Sequence, residues 1–485
     1  MNVRMKPLPP PKSIPKSGIP LGYSLEHEHQ KAPMGFCYSP EAGTENKTEL
    51  EAILHTGSGH LMTIAPTGSG KGVSCIIPTL LHYDGTVIVV DPKGENYAVT
   101  AKHRAHMMGN EVILFDPFAL TGDKSHQFNP IKLLRELPES ERTDFARELT
   151  ALIIPDNSDF KDPFWVDMAR TLLTGYLIYI SDESYPAALS TFEALRLLCT
   201  EPLDSCRINA KLMKDCNNRV VQESADIILS AYDKTLASIR SVLQSFVSKL
   251  SGSALDGHLC GNDLNPDEFI EGKLKAIYLV LPPEKLHTHS NLLRLWVGCL
   301  INFILKRRGH VEKNTLFILD EAAQLGSLEE LRQAITLLRG YGLQTWSFWQ
   351  DLSQLQRLYP DWKTLMNNCR VQQVFGITNL MMANELANIH KLWTAEELLE
   401  LDSDEMILQI AGDLPVIAQK LNYLTDPAFE NKARPNPFHL KSDVPYKPRF
   451  RQREYSRVQR RKRRQSQVDD SELRVPSFND FIEGS

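Results

Sequence analysis

Residues 65–72 form a short glycine-rich segment of a kind that binds phosphate. The segment reads APTGSGKG and lies between the apolar runs 61–64 and 73–81. This order predicts a strand, a turn and the start of a helix, which together direct backbone N–H groups and one lysine at a phosphate chain. We expect the segment to bind a nucleoside triphosphate. The predicted contacts come from Pro66, Thr67, Gly68, Ser69, Gly70, Lys71, Gly72 and Val73.

Two positions of this segment differ from the common phosphate-loop pattern GxxxxGK[ST]. Ala65 stands where the pattern has its first glycine, and Gly72 stands where it has the Ser or Thr that binds Mg²⁺. Gly68 and Gly70 still let the backbone approach oxygen atoms closely, and Lys71 would bring a compact positive charge to the β- and γ-phosphates. The alternative is an ordinary turn with a solvated lysine, so the interpretation needs support from elsewhere in the chain.

A second segment, residues 316–321, supplies that support. Four apolar residues precede the two carboxylates Asp320 and Glu321. Such a run suits a strand buried on both faces of a parallel sheet, and its acids emerge at the carboxyl end, where open α/β sheets bind ligands. We expect Asp320 to hold Mg²⁺ and Glu321 to polarise the attacking water. The alternative is that both acids cap a helix that begins near Ala322.

Segments typical of buried strands alternate with helical segments on both sides of a helical region. From about residue 135 to 255 the apolar residues follow helical spacing with hardly any strand pattern. The alternation outside this region predicts an α/β fold, with a mostly parallel sheet flanked by helices and an inserted all-α domain. Two last apolar stretches, 406–410 and 416–421, predict a hairpin at the edge of the sheet. The other predicted strands are 61–64, 86–90, 112–115, 276–281, 316–319, 345–349 and 371–375.

This pattern divides the chain into five predicted parts. The first twenty residues contain six prolines, which indicates an extended and poorly ordered arm. The nucleotide-binding domain is expected in two pieces that flank the all-α domain. The predicted parts are the arm 1–45, the first nucleotide-binding piece 46–134, the all-α domain 135–255, the second nucleotide-binding piece 256–430 and a basic tail 431–485.

The charge of the tail contrasts with that of the rest of the chain. Residues 447–464 carry about +9, whereas the whole chain has a formal net charge of −6. Such a segment can bind nucleic acid or anionic lipid headgroups, and the alternative is a merely solvated tail. The eight cysteines form no CxxC pair, and no stretch is typical of a signal peptide or a membrane span. These features predict a cytoplasmic protein with reduced thiols.

Several motifs in one order resemble those of TraG/TraD-like coupling proteins of type IV secretion and conjugation. The motifs span most of residues 60–425. They are PTGSGKGVSCIIPTLL at 66–81, VDPKGENY at 90–97, FDPF at 115–118, FNP at 128–130, FW at 164–165 and LDEAAQLG at 319–326. Many members of that family carry GKG in the phosphate loop, so the resemblance treats Gly72 as a family trait.

The resemblance implies a RecA-like P-loop NTPase motor that uses ATP and Mg²⁺ and assembles as a homo-oligomeric, usually hexameric, ring. It also implies a role in trans for Arg339 as an arginine finger and a role for Gln350 as a sensor of the γ-phosphate. Arg370 is a competitor for the finger. The alternatives are that Arg339 neutralises the end of a helix and that Gln350 is a capping amide.

The predicted function is therefore that of an ATPase that recruits a DNA-relaxase complex or protein substrates to a type IV secretion channel and drives their transfer. Typical members of the family begin with two transmembrane helices, and no such segment is apparent in this sequence. We expect a cytoplasmic protein whose attachment to the inner face of the cell membrane is indirect or through the basic tail. Two alternatives are a DNA translocase of the FtsK/HerA kind and a nucleotide-gated adaptor with little hydrolysis.

Overall fold

The computed structural model describes residues 9–25, 49–155, 162–182, 185, 191–337 and 339–439. Its centre is an eleven-stranded sheet with the order β2-β1-β11-β10-β9-β3-β8-β7-β4-β6-β5. The strands are β1 (Ile19–Ser24), β2 (Glu51–His55), β3 (His60–Ile64), β4 (Val87–Val90), β5 (Glu111–Phe115), β6 (Lys275–Leu279), β7 (Thr315–Leu319), β8 (Leu343–Trp349), β9 (Cys369–Val374), β10 (Glu405–Ile410) and β11 (Val416–Gln419).

The strands from β9 to β5 in this order run parallel. Every residue of β3, β4 and β7 is buried. Their mainly apolar sequences fit this position, because helices cover both faces of a parallel sheet. The predicted α/β class with a mostly parallel sheet is confirmed, and the carboxyl ends of β3, β8 and β7 lie side by side at one edge.

The helices fall into two groups. Those outside the inserted segment are α1 (Ile77–Leu80), which continues a π-helical turn at Gly72–Ile76, α2 (Glu95–Met107), α11 (Pro266–Ile270), α12 (Pro283–Leu305), α13 (Glu329–Leu337), α14 (Leu352–Leu358), α15 (Trp362–Asn368), α16 (Leu380–His390) and α17 (Ala395–Leu399). The inserted group is α3 (Pro130–Glu136), α4 (Glu139–Ile153), α5 (Pro163–Ser181), α6 (Thr191–Thr200), α7 (Leu203–Lys214), α8 (Arg219–Ser230), α9 (Asp233–Val247) and α10 (Ser253–Asp256).

The two ends of the inserted helical segment lie next to each other. Phe128 forms an antiparallel bridge with Asn262. Asn129 caps α3 through its side-chain oxygen, and its side-chain amide donates to the backbone oxygen of Leu259. The described residues between this pair form helices and contain no strand. The insertion therefore leaves and rejoins the sheet at one point, which allows the parallel sheet to continue from β5 to β6.

The hairpin of β10 and β11 forms as predicted, but its predicted position at the edge of the sheet is wrong. β11 pairs with β1, and β1 pairs with β2, so two N-terminal strands extend the sheet beyond the hairpin. β1 lies inside the segment predicted to be a poorly ordered arm. Its residues 19–23 are buried, so the apolar sequence of the strand outweighs the neighbouring prolines.

Candidate nucleotide-binding site

The phosphate loop follows β3 with the conformation that its glycines allow. Gly68 and Gly70 have φ angles of +79° and +92°, which side chains with a Cβ rarely adopt. Ser69 closes the turn by donating from its hydroxyl to the backbone oxygen of Pro66 at 2.6 Å. The hydroxyl of Ser74 bonds the oxygen of Gly70 at 2.7 Å and ties the loop to the following helical turn. The loop is thus a compact turn whose backbone is fixed at both ends.

Lys71, Glu321 and Gln350 form one connected group at the carboxyl edge. The Lys71 ammonium lies 3.8 Å from Oε1 of Glu321, and the two side chains are only 10% and 20% exposed. It also donates to the backbone oxygen of Ala65 at 3.1 Å. Gln350 follows β8 and donates from Nε2 to Oε2 of Glu321 at 2.7 Å. The three strands β3, β7 and β8 bring together side chains that are up to 279 positions apart in the sequence.

Glu321 has an unusual backbone. Its φ and ψ are 64° and 53°, in the left-handed region that a residue other than glycine seldom occupies. A short 3₁₀ turn, Ala322–Leu325, follows it. The buried Arg294 of α12 holds this turn by donating from Nη1 to the backbone oxygens of Leu325 and Ser327, both at 2.7 Å. The turn therefore directs the carboxylate of Glu321 at Lys71 instead of along a regular helix.

Asp320 has an oxygen with no partner. Among the described residues, its Oδ1 is shielded from solvent and accepts no hydrogen bond. Burial raises the pKa of Asp320 to about 7, the nearby Lys71 lowers it, and the charges of Glu321 and Glu95 raise it further. Burial likewise raises the pKa of Asp91, at the end of the adjacent β4, to about 7. A shielded carboxylate oxygen without a hydrogen-bond donor fits a cation ligand, and with the loop amides and Lys71 the site fits a magnesium–triphosphate group.

Asp91 lies close to Asp320, but its carboxylate oxygens have hydrogen-bond donors. Its oxygens accept hydrogen bonds from the backbone N–H of Tyr97 at 2.9 Å and from the side chain of Asn96 at 3.3 Å. These bonds fix the turn between β4 and α2. Asp91 therefore shapes the turn, whereas Oδ1 of Asp320 accepts no hydrogen bond from the described residues.

Lys420 is a site residue that the sequence reasoning missed. It follows β11, and its ammonium donates to the backbone oxygen of Ser69 at 2.9 Å. The same ammonium lies 4.6 Å from the ring centre of Phe375, and burial lowers the pKa of Lys420. The sequence feature that could have indicated this role is the position of the lysine directly after β11. That position is informative only when the structure shows that β11 and β3 end at the same edge of the sheet.

Arg339 and Arg370 lie at the opposite edge of the sheet. Arg339 begins a short 3₁₀ turn, Arg339–Tyr341, just before β8, and Arg370 is near the start of β9. Strands β8 and β9 are parallel to β3, so the length of the sheet, about 20 Å, separates both residues from the phosphate loop of the same chain. The resemblance assigns roles at the nucleotide to Arg339 and Gln350, and of these two residues only Gln350 lies next to the phosphate loop of the same chain.

The arrangement defines a class of protein. A glycine-rich loop with its lysine follows one strand of a parallel sheet, and two acids follow another strand at the same edge, so the chain has the fold of P-loop NTPases of the RecA-like type. Residues 38–388 match the family described as Type IV secretory system Conjugative DNA transfer, and the chain belongs to this family. The predicted resemblance to TraG/TraD-like coupling proteins is confirmed.

Curated relatives give the same result. The chain is 24% identical over 356 residues to a conjugal transfer protein TraG from Escherichia coli, covering 70% of this chain and 55% of the relative. It is 30% identical over 305 residues to the protein VirD4 from Agrobacterium fabrum, covering 62% and 44%. The chain therefore spans about half the length of the curated relatives it matches.

Solved structures with the same fold include the plasmid coupling protein TrwB in complex with ADP and Mg²⁺. That structure has a TM-score of 0.58 and 18% identity, covering 76% of this chain and 86% of TrwB. TrwB with a non-hydrolysable ATP analogue has a TM-score of 0.56 at the same identity, covering 76% and 85%. Of the helices in the described ranges, none has the length and apolar character that a membrane span needs. The predicted basic run 447–464 lies outside those ranges.

Proposed function

We propose that this chain is an ATP-hydrolysing coupling protein that recruits a DNA-relaxase complex or protein substrates to a type IV secretion channel and drives their transfer. The main support is a pair of contacts: the ammonium of Lys71 lies 3.8 Å from Glu321, and Gln350 donates to Glu321 at 2.7 Å. These contacts place the lysine proposed to bind phosphate next to a carboxylate that could act as a base. Family membership supports the coupling role, and the nucleotides bound to TrwB support ATP and Mg²⁺ as the ligands.

The residues of the loop would bind the triphosphate. The backbone N–H groups from Gly68 to Val73 would donate to phosphate oxygens, and Lys71 would contribute its charge. A bound triphosphate would compete for the ammonium of Lys71, which now donates to the backbone oxygens of Ala65 and Pro66. Asp320 would hold Mg²⁺, which supplies positive charge against the phosphate oxygens when bound.

Glu321 would then act on the attacking water. Once Lys71 turns towards the phosphates, one oxygen of Glu321 becomes free to accept the proton of the water, while Gln350 holds the other. Because Glu321 contacts both Lys71 and Gln350, a triphosphate that draws Lys71 away would change what holds Glu321 and Gln350 in place. This is how we link Gln350 to the sensing of the γ-phosphate.

A ring would complete the site. Arg339 and Arg370 lie on the edge away from the loop, so either could reach a nucleotide only on a neighbouring subunit. A homo-oligomeric ring, as proposed for this chain, would place such an arginine at the subunit boundary and would make hydrolysis depend on assembly. Partners of the ring would be components of the secretion channel.

Turnover and nucleotide binding test this proposal together. Glu321→Gln should lower the rate of ATP hydrolysis about 100-fold or more and leave nucleotide affinity within a few-fold of the parent. Lys71→Ala should lower the affinity itself. Glu312→Gln, an exposed carboxylate elsewhere on the chain, is the matched control. Equal turnover in the parent and in Glu321→Gln would instead favour a nucleotide-gated adaptor, and ATPase activity that DNA stimulates without any channel component would favour a translocase of the FtsK/HerA kind.

A further inference from the structure

The carboxylate of Glu95 lies where the phosphate loop lacks a side chain. Residue 72 is glycine, whereas the common loop pattern has a Ser or Thr whose hydroxyl binds Mg²⁺. A Cβ placed on Gly72 would lie 3.8 Å from Oε1 of Glu95. Among the described residues outside its own turn, no other heavy atom would come within 4 Å of that Cβ. A carboxylate oxygen thus faces the space that the hydroxyl fills in other loops.

The fold of the β4–α2 turn places Glu95 there. Gly94 has a φ of +65°, and a Cβ at this position would be 3.0 Å from the side chain of Thr121, so the turn needs a glycine. Glu95 is the next residue and the first of α2. The buried Arg104 holds α2 against the end of α1 by donating to the backbone oxygens of Leu80 and Tyr83 at 3.0 and 2.7 Å.

Glu95 is buried and oriented. It is 8% exposed, and its Oε1 accepts a hydrogen bond of 2.7 Å from Nδ2 of Asn436. The same amide nitrogen lies 2.6 Å from the hydroxyl of Tyr423. The segment after β11 therefore holds the carboxylate in place. Nε2 of His439 also lies 3.9 Å from Oε1. A cation near a buried carboxylate of this kind would stabilise it.

An acid at the first turn of a helix also stabilises the helix through the helix dipole. That role does not require Oε1 to point across to the phosphate loop, nor an amide from a segment more than 300 residues away to hold it there. The position of Glu95 is therefore better explained by a ligand at the loop than by the helix alone. Val90 of β4 pairs with Leu319 of β7, so Asp320 and the turn that leads to Glu95 follow neighbouring strands at the same edge of the sheet.

We propose that Glu95 supplies the side-chain oxygen that Gly72 cannot, and that Glu95 and Asp320 together hold Mg²⁺ at the nucleotide, directly or through water. This inference rests on the proposed function, because it assigns a ligand of the same site. It explains how a loop without the hydroxyl would hold a metal: the oxygen would come from the start of α2 and not from residue 72 of the loop.

The test measures how the affinity for a fluorescent ADP analogue depends on the Mg²⁺ concentration, and needs no turnover. Glu95→Gln keeps an oxygen for Asn436 but removes the charge. We expect it to bind the analogue like the parent in EDTA and to need about tenfold more Mg²⁺, or more, for half of the Mg²⁺-dependent gain in affinity. The control Glu430→Gln, an exposed carboxylate of the segment after β11, should match the parent.

A second variant tests whether a hydroxyl at residue 72 can replace the carboxylate of Glu95. Gly72→Ser adds a hydroxyl where the backbone has room for a Cβ, so the double variant Glu95→Gln with Gly72→Ser should regain most of the Mg²⁺ response. An unchanged Mg²⁺ response in folded Glu95→Gln would overturn the inference. If that variant does not fold, Gly72→Ser alone decides: a lower Mg²⁺ requirement supports a ligand position at this point, and an unchanged one rejects it. A parent chain that binds no nucleotide would instead reject the proposed function.

Discussion

The ammonium of Lys420 donates a 2.9 Å hydrogen bond to the backbone oxygen of Ser69 and so holds the phosphate loop in place. The hairpin that carries Lys420 is more than 300 residues from the loop in the sequence. Gly376, which follows β9, approaches the same serine so closely that a Cβ there would lie 2.5 Å from the Cβ of Ser69. The second half of the sheet therefore sets the shape of a loop that belongs to the first half.

The first prediction concerns this lysine. Lys420→Met should weaken the binding of an ADP analogue about tenfold, because the charged hydrogen bond that holds the loop carbonyl is lost. Lys420→Arg should recover part of the loss. The measurement is a fluorescence titration at fixed Mg²⁺, with the exposed Lys124→Met as the control. Equal affinities of Lys420→Met and the control would show that the contact does not support the loop.

The second prediction uses the left-handed backbone of Glu321. Glycine occupies this region without strain, so the free energy of unfolding of Glu321→Gly should exceed that of Glu321→Ala by about 1 kcal/mol, and both variants should lose turnover. Glu321→Ala is the matched control, because it removes the same carboxylate but keeps the Cβ and hence the strain. Denaturant unfolding of the two variants isolates the backbone contribution. If the alanine variant is as stable as the glycine variant, the conformation stores no strain.

The strands that carry the site could be predicted from the sequence, because each is a short apolar run that ends in glycines or acids. Asp320, Glu321 and the loop were predicted in this way, and the structure brings Lys71, Glu321 and Gln350 together. The positions of Lys420 and Glu95 could not be predicted, since they depend on which strands end at the same edge and on how α2 packs against α1. The apolar pattern of a single segment does not show which strands are neighbours in the sheet.

The N-terminal strand β1 is a second example of a position that the local sequence does not predict. Prolines dominate its neighbourhood, and the local sequence predicts an extended arm. Its place in the sheet comes from a partner, β11, almost 400 residues further along the chain. Tyr23 of β1 donates to Asp426 at 2.9 Å, which ties the strand to the segment after the hairpin.

The third prediction concerns this carboxyl group and the pH dependence of stability. Burial raises the pKa of Asp426 to about 6, above the ordinary value of 3.8 that the unfolded chain would have. The folded state therefore holds the proton more tightly, and this contribution to stability is complete below about pH 4 and is lost as the pH rises through about 6. Asp426→Asn, which does not titrate, should gain about 2 kcal/mol of unfolding free energy relative to the parent between pH 4 and pH 7.

Denaturant unfolding at several pH values measures this difference. Asp413→Asn changes an exposed aspartate in the turn of the same hairpin and should follow the parent at every pH. Asparagine can keep an acceptor for the hydroxyl of Tyr23 and for the backbone N–H of Asn422, so the substitution leaves the local contacts in place. Parallel curves for Asp426→Asn and the parent would mean that the carboxyl titrates alike in the folded and unfolded chains.

The last prediction follows from the two edges of the sheet. Because Arg339 precedes β8 and the phosphate loop follows the neighbouring parallel strand β3, a finger role for Arg339 requires a second subunit. Arg339→Ala and Lys71→Ala should each be almost inactive alone. A mixture should regain turnover, because the intact loop of an Arg339→Ala subunit can meet the intact arginine of a Lys71→Ala neighbour. With random mixing in equal amounts, about one boundary in four would be of this kind.

The same experiment with Arg370→Ala separates the two arginines. If Arg370 is the finger, its variant and not Arg339→Ala is inactive alone and regains activity in the mixture with Lys71→Ala. Mixing must follow dissociation and reassembly of the subunits, and chemical cross-linking can confirm that mixed assemblies form. Recovery without reassembly, or an Arg339→Ala variant as active as the parent, would contradict a finger in trans at residue 339, since the length of β8 keeps this residue away from the loop of its own chain.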